Sequence, residues 1–482
     1  MRLLRLGLYM ESWEVAIVGA GPAALRAAIA SIDSGASTIL IDSEGIGSRQ
    51  GNPPIAGIAA SIGEINSIAH RDDTINAGGH TTNKVSAART CGEAITVISE
   101  LERWGLVFRR NQDGLPHVSK APGHSKARLT GCGDASVREI TRILEEQVIK
   151  RKITRRYDSL AISLISDNKQ IRGLTLLDTT TGQVNSIQSK AVILATEGYE
   201  GLWTNPSEGA GTGAALVANA GIDLVGMMNF PKHPLSVKGT NMHIPIEVLD
   251  AGGRIRKDNG DDAEPSDIEE ENCVLDLRGF DSDAKIWFSN IISGIKNRTG
   301  LDINVDVIPI SAKVITTGGA PVDSKGRVTF NDGKMWFTGL YAAGRSSNNG
   351  MHGAGALPGN IFLEDLTSGQ IAGSHASLWA LKEEFANSIL IQNEEDTNLQ
   401  QIKELHNPEG KSVGQISASL NSLINNIEQD DSESSLITIR ENLAEINNTG
   451  IKLTDTSKIM NTELATAIQL KGLISIMEQI IS

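Results

Sequence analysis

Residues 13–42, WEVAIVGAGPAALRAAIASIDSGASTILID, restrict the fold of this chain more than any other stretch. VAIVG is an apolar run suited to a buried parallel strand. Gly19 and Gly21 make a tight turn, a helix begins over Ala23–Ala30, and STILID forms a second strand ending in Asp42. Backbone N–H groups at a helix start attract a pyrophosphate, and glycines without side chains let it approach. An acid about 20 residues further on holds a ribose diol. Strand, turn, helix, strand and terminal acid occur here in order, with Ala24 at the third glycine position. The segment reads as a dinucleotide site.

Composition sets the surroundings of that unit. The 482 residues are 40% hydrophobic, enough for a large core and more than one domain. A net charge of −14 argues against nucleic acid as a partner. The basic run KRKITRR (150–156) reads as a solvated helix-to-strand connection. Cys91, Cys132 and Cys273 are far apart, fit no metal spacing and suit packing in a reducing compartment. No apolar run reaches the roughly 18 residues of a membrane span. The opening MRLLRLGLYMES lacks a small-residue cleavage site, and Met10 is an alternative start to Met1. The expected location is the cytoplasm.

Two further glycine-rich strand ends separate FAD from NAD. SKAVILATEGYEG (189–201) runs from a strand into Ala195–Thr196–Glu197–Gly198. Before it, residues 161–187 alternate as strands with turns at Asp167–Lys169 and Thr181–Gly182. A meander returning to such a turn closes FAD-binding sheets. MWFTGLYAAG ends at Gly344 and brings a third backbone segment to the same sheet edge.

With these elements placed, the chain resembles the flavoprotein subunits of succinate dehydrogenase and fumarate reductase, together with L-aspartate oxidase. The resemblance runs through GNPPIAGIAASIG (51–63), DDTINAGGHTTN (72–83), ELERWGLVF (100–108) and PGHSKARLTGCGDASVREITRILEEQ (122–147). It continues in 209–234, which ends in His233–Pro234, and in 457–480, similar to the family's C-terminal helices. It implies an α/β fold: a Rossmann-like FAD-binding domain of the glutathione-reductase type, an inserted α+β capping domain and a C-terminal helical domain. The expected boundaries are 10–234 and 313–380 for the FAD-binding domain, 235–312 for the cap and 381–482 for the helical domain. Residues 380–455, polar and broken by Asn, Asp and Ser, read as an exposed helical appendage.

The resemblance also implies cofactor contacts. Gly19, Gly21, Pro22 and Ala23 form the first turn, followed by Asp42, Ser43, Ser48 and Gly57. Ala161, Ala195, Thr196, Gly198 and Thr212 come from the meander and the next helix. Gly344, Arg345, His352, Gly359, Asn360 and Ile361 complete the set, with His352 packing over the flavin. The histidine that tethers FAD in the respiratory enzymes aligns with Gln50 or Gly51, so noncovalent FAD is expected.

The same comparison exposes departures. The family's substrate clamp is two arginines and two histidines, suited to carboxylates. One arginine falls on Ala356, the proton-shuttle arginine on Asp250 and one histidine on Val314, leaving only His233 matched. A glutamate of the flavin turn has become Arg345 and a glycine has become Glu197, two opposite charges that can pair. Arg254, Arg256 and Lys313 lie near the gaps. Candidate catalytic residues are His233, to orient a substrate oxygen, Glu247, as a base, and Arg254, if it turns inward; no metal ligands are expected.

The expected function is an FAD-dependent oxidoreductase that exchanges hydride between a small-molecule C–H bond and FAD, with a substrate other than succinate or fumarate. Two alternatives stand beside it: a dicarboxylate enzyme with displaced cations, and a non-catalytic flavin-binding electron-transfer or assembly subunit. An electron-acceptor or iron–sulfur partner protein stays open.

Overall fold

A computed structural model of the protein describes residues 10–44, 56–62, 67–269 and 271–482. Its first elements are β1 (Ser12–Val18), α1 (Pro22–Asp33) and β2 (Thr38–Ile41). α2 (Ser67–Gly78), α3 (Lys84–Arg103) and α4 (Ser136–Lys150) follow. β3 (Thr154–Arg156) joins β2, and β4 (Ser159–Asp167), β5 (Gln170–Asp178) and β6 (Val184–Leu194) form the antiparallel meander read from the sequence. β1 lies between β2 and β6, parallel to both.

Alternation along β1 divides the core. Val15 and Ile17 face α1, while Ala16 and Val18 face the opposite layer. The first layer is unusually tight. Helix α1 is rich in alanine, and a β-carbon on Gly369 or Gly373 would lie 2.3 or 2.2 Å from the carbonyls of Ala23 and Ala27. Those glycines belong to a long helix that follows the last strand of the main sheet, so its backbone rests directly on α1.

α5 (Thr212–Asn219) leads into a second, four-stranded antiparallel sheet. Its strands are β7 (Lys232–Val237), β8 (Arg254–Lys257), β9 (Cys273–Asp276) and β10 (Ile308–Val314), in spatial order β8-β9-β10-β7. It has its own core, including Leu235, Ile244, Leu275, Phe288 and Ile310, which also takes in Ala56, Ala59 and Leu129 from the first unit. The chain returns through β11 (Arg327–Phe330) and β12 (Met335–Ala342); β12 runs parallel to β6. The tight helix is α6 (Asn360–Ala380).

Four helices end the chain: α7 (Ser388–Glu404), α8 (Val413–Gln429), α9 (Glu433–Thr449) and α10 (Thr462–Ile480). The expectation of an exposed appendage is corrected here. Ile416, Leu420 and Ile424 of α8 and Ile439 and Leu443 of α9 are buried in the same cluster as Val18 and Ile41. The polar residues cover the outer faces of amphipathic helices, while the apolar stripe completes the sheet's second layer.

The basic run also differs from its reading. Arg151 pairs with Asp33, Arg155 with Asp42 and Arg156 with Glu11. These arginines fasten β3 to neighbouring elements. The three cysteines are buried and free. Among the described residues no helix is long and apolar enough to cross a membrane.

Candidate active site

The dinucleotide turn is built by backbone geometry. Gly19 adopts φ +123°, and a β-carbon there would lie 2.1 Å from the Ala195 oxygen. Gly21 is the N-cap of α1; no side chain caps the helix, Pro22 occupies its first turn, and a β-carbon on Gly21 would meet nothing within 4 Å. The helix therefore presents free N–H groups beside open space, which suits a pyrophosphate. Ala23 lies beneath Gly344, whose β-carbon would come within 2.7 Å of the Ala23 methyl. That contact joins the first turn to the end of β12.

At the other edge Asp42 directly follows β2, buried, with Oδ2 accepting from Arg155 at 2.7 Å and Oδ1 accepting from the N–H of Glu44 at 3.1 Å. Ser43 follows it, partly buried. Ser48, Gln50 and Gly51 lie outside the described residues.

Beyond Gly344, Arg345 enters the wall of a cavity of about 320 Å³. The cavity also takes Ala56, Gly123 and Pro122, then Pro231–Pro234, Ile246 and Ile315, and finally Gly355–Gly359, Ile361 and Phe362. Helix α6 starts there: Gly359, at φ +81°, is its N-cap and no side chain caps it. A helix N-terminus favours negative charge at that end of the cavity. A planar, mostly apolar ring joined to a pyrophosphate fits this set of surfaces, and FAD is such a molecule.

Arg345 does not pair with Glu197 as expected. Its Nη2 bonds Glu200, and its Nε donates to the Thr316 carbonyl at 3.0 Å. Glu200 also accepts the Thr316 N–H at 2.8 Å and hydroxyl at 3.0 Å. Glu197 instead receives the N–H and hydroxyl of Thr212, at 3.1 and 2.7 Å, and so holds the start of α5. Charge type alone could not choose between two acids three residues apart; the turn at Gly198 aims Glu200 inward.

His233 lines the cavity. Its Nε2–H is shared between the carbonyls of Leu235 and Ile244, at 3.1 and 2.9 Å. Burial first, and then His243 stacked edge-on at 6.0 Å, lower its pKa to about 3, so it is neutral at ordinary pH. Glu247 stands behind Ile246. Its Oε1 accepts the N–H of Gly57 at 2.6 Å, while Oε2 is buried without a partner among the described residues. Burial raises its pKa to about 7, so it can hold or release a proton near neutrality.

Other candidates are turned away from the cavity. Arg254 lies on the outer face of β8, its side chain 63% exposed, with Asp262 at 3.8 Å. The Asn360 amide is used by His70 and Thr74, at 2.7 and 2.8 Å, leaving only its backbone beside the helix start. His352 Nε2 bonds Glu364 at 2.7 Å. Ala161 and Thr212 line a separate cavity of about 170 Å³ between the meander, α5, α7 and α10. Thr196 N–H is held by Ser346 at 2.8 Å, and its hydroxyl accepts from Gly213.

Sequence reasoning missed Glu200 and Asp365. Asp365 lies on the buried face of α6, where Phe362 and Gly369 precede and follow it at helical spacing. Its carboxyl is pushed up to about 7 by burial, against the pull of Arg345. An acid at a buried helical position was the readable signal.

The family described as FAD binding domain matches residues 14–361, more than half of the chain. L-aspartate oxidase of Streptomyces coelicolor is 27% identical over 78% of this chain and 71% of its own. The 8-methylmenaquinol:fumarate reductase flavoprotein subunit of Wolinella succinogenes is 23% identical over 83% of this chain and 71% of its own. Among solved structures, a glutamate-to-glutamine variant of E. coli quinol fumarate reductase FrdA superposes with a TM-score of 0.87 at 23% identity, covering 98% of this chain and 89% of that one.

Proposed function

The chain belongs to the FAD binding domain family as an FAD-dependent oxidoreductase related to L-aspartate oxidase and to fumarate reductase and succinate dehydrogenase flavoprotein subunits, and we propose that its substrate is a small molecule without a dicarboxylate charge. When bound, FAD supplies the hydride acceptor or donor for a substrate C–H bond, and a separate acceptor molecule or partner protein exchanges its electrons. The chain's own groups bind the cofactor, exclude water from the cavity and hold a proton on Glu247.

One observation carries the substrate reading. Among the described residues, the two cations in the cavity wall already have carboxylate partners: Lys232 has Glu269 at 3.0 Å and Glu428 at 3.9 Å, and Arg345 has Glu200. His233 adds no charge. Two substrate carboxylates here would lose hydration without gaining an uncompensated cation among the described residues, at a cost of several kcal/mol each. The position of Arg345 in the wall favours the rival dicarboxylate reading, which needs Glu200 to be protonated or displaced.

The experiment is anaerobic mixing of the holoprotein with succinate, L-aspartate and neutral carbonyl compounds while the flavin bands are followed. Bleaching by a neutral compound alone supports the proposal; bleaching by succinate or L-aspartate overturns it. Noncovalent attachment has its own readout. Acid precipitation should leave the yellow colour in the supernatant, and a yellow pellet would contradict it.

A further inference from the structure

Arg345 is nine-tenths buried, yet its guanidinium is only partly satisfied. Nε is held by the Thr316 carbonyl and Nη2 by Glu200 with Thr316 Oγ1. Nη1 has no hydrogen-bond partner among the described residues, and the side chain forms part of the 320 Å³ cavity wall. Its anchors place the head of the side chain at the loop following β10, where Ile315 and the Pro231–Pro234 segment complete that end of the cavity. The opposite walls are apolar: Leu357, Ile361 and Phe362.

From this arrangement we infer that Arg345, which the family resemblance makes a cofactor contact, is instead a substrate-binding residue: in the part of the cavity that the flavin ring leaves open, it donates one hydrogen bond, through Nη1, to the carbonyl oxygen of an uncharged ligand with an apolar body. The inference rests on the neutral-substrate reading above and adds the recognising group. Arginine offers five N–H donors in a fixed fork, so holding Nε and Nη2 fixes the direction of Nη1. Glu200 cancels the net charge without consuming that donor. A carbonyl oxygen uses the donor and brings no charge of its own. A carboxylate at Nη1 meets the negative charge that Glu200 already holds on the same guanidinium and is repelled. Away from water, a hydrogen bond from a charged donor is strengthened, and leaving it unmade is costly.

The test uses FAD-loaded protein and the bound-flavin absorption spectrum as a binding signal. 2-Cyclohexenone and 1-tetralone are the carbonyl probes, cyclohexene is the matched hydrocarbon, and crotonate and succinate are the anions. Expected for the wild type is a saturable spectral change with a carbonyl probe and none with cyclohexene or succinate. Arg345→Met should keep FAD and weaken the carbonyl probe about tenfold or more. Glu200→Gln leaves the cation uncompensated and should gain affinity for crotonate, a result that loss of folding cannot imitate.

Unchanged carbonyl affinity in FAD-loaded Arg345→Met overturns the inference while leaving the neutral-substrate reading intact. Loss of FAD from that variant assigns Arg345 to the cofactor and also overturns it. So does a wild type indifferent to both carbonyl probes up to their solubility. A wild-type response to succinate instead defeats the underlying reading.

Discussion

Gly19 rests on the carbonyl of Ala195, so close that a β-carbon would stand 2.1 Å from the oxygen. The two residues directly follow adjacent parallel strands, and the Ala195 N–H donates to the Val18 carbonyl at 2.8 Å. The dinucleotide turn and the end of β6 are therefore one structure.

Gly19→Ala should consequently damage both fold and cofactor site. The residue must abandon φ +123° and push two central strands apart, at a cost of about 1–3 kcal/mol or more. The expected result is a lower thermal midpoint and protein purified with little FAD. A yellow, equally stable variant would contradict the contact.

Arg128 is completely buried, and its Nη1 bonds Asp73 at 2.5 Å and His124 Nδ1 at 3.1 Å. Removing one member of a buried pair leaves an unmatched charge, typically costing about 3–5 kcal/mol. Arg128→Met should lose about that much in denaturant unfolding. Adding Asp73→Asn to it should recover part of the loss, since the stranded carboxylate goes too.

The Glu247 carboxyl titrates near 7 in the folded chain and near 4.5 when unfolded. Between these values the folded state binds the extra proton, so this group's stabilisation is complete below pH 4.5 and is lost as pH rises through 7. Its slope reaches at most about 1.4 kcal/mol per pH unit. Glu247→Gln keeps an acceptor for the Gly57 N–H and should remove that slope. The difference between wild-type and variant unfolding free energies from pH 5 to 7.5 isolates it from the histidines. A pH-independent difference would refute the assignment.

Leu420 is 1% exposed in the core shared with β1 and β2. Leu420→Ala should cost about 2–5 kcal/mol and lower the unfolding midpoint of the whole FAD-binding unit. Early, separate melting of the C-terminal helices would show instead that they are an appendage.

What was readable in advance follows from the range over which each feature is encoded. The Gly19–Gly21 turn, the meander and the strand ending at Gly344 depend on neighbours within a few residues, through hydrophobic period and glycine conformation, so the chain itself determined them. The departures that the family resemblance implies at Asp250, Val314 and Ala356 rest on residue type alone, which needs no geometry. The partner of Arg345 was not. Glu197 and Glu200 are near equals in sequence, and only the Gly198 turn and the Thr316 loop, brought together by the closed sheet, separate a helix cap from a cavity counter-ion. Burial of the polar C-terminal helices was likewise settled by the sheet face they cover. Charge pairing and burial depend on distances between segments far apart in the chain, such as Glu200 and Arg345, 145 positions apart, and those distances exist only once the fold has formed.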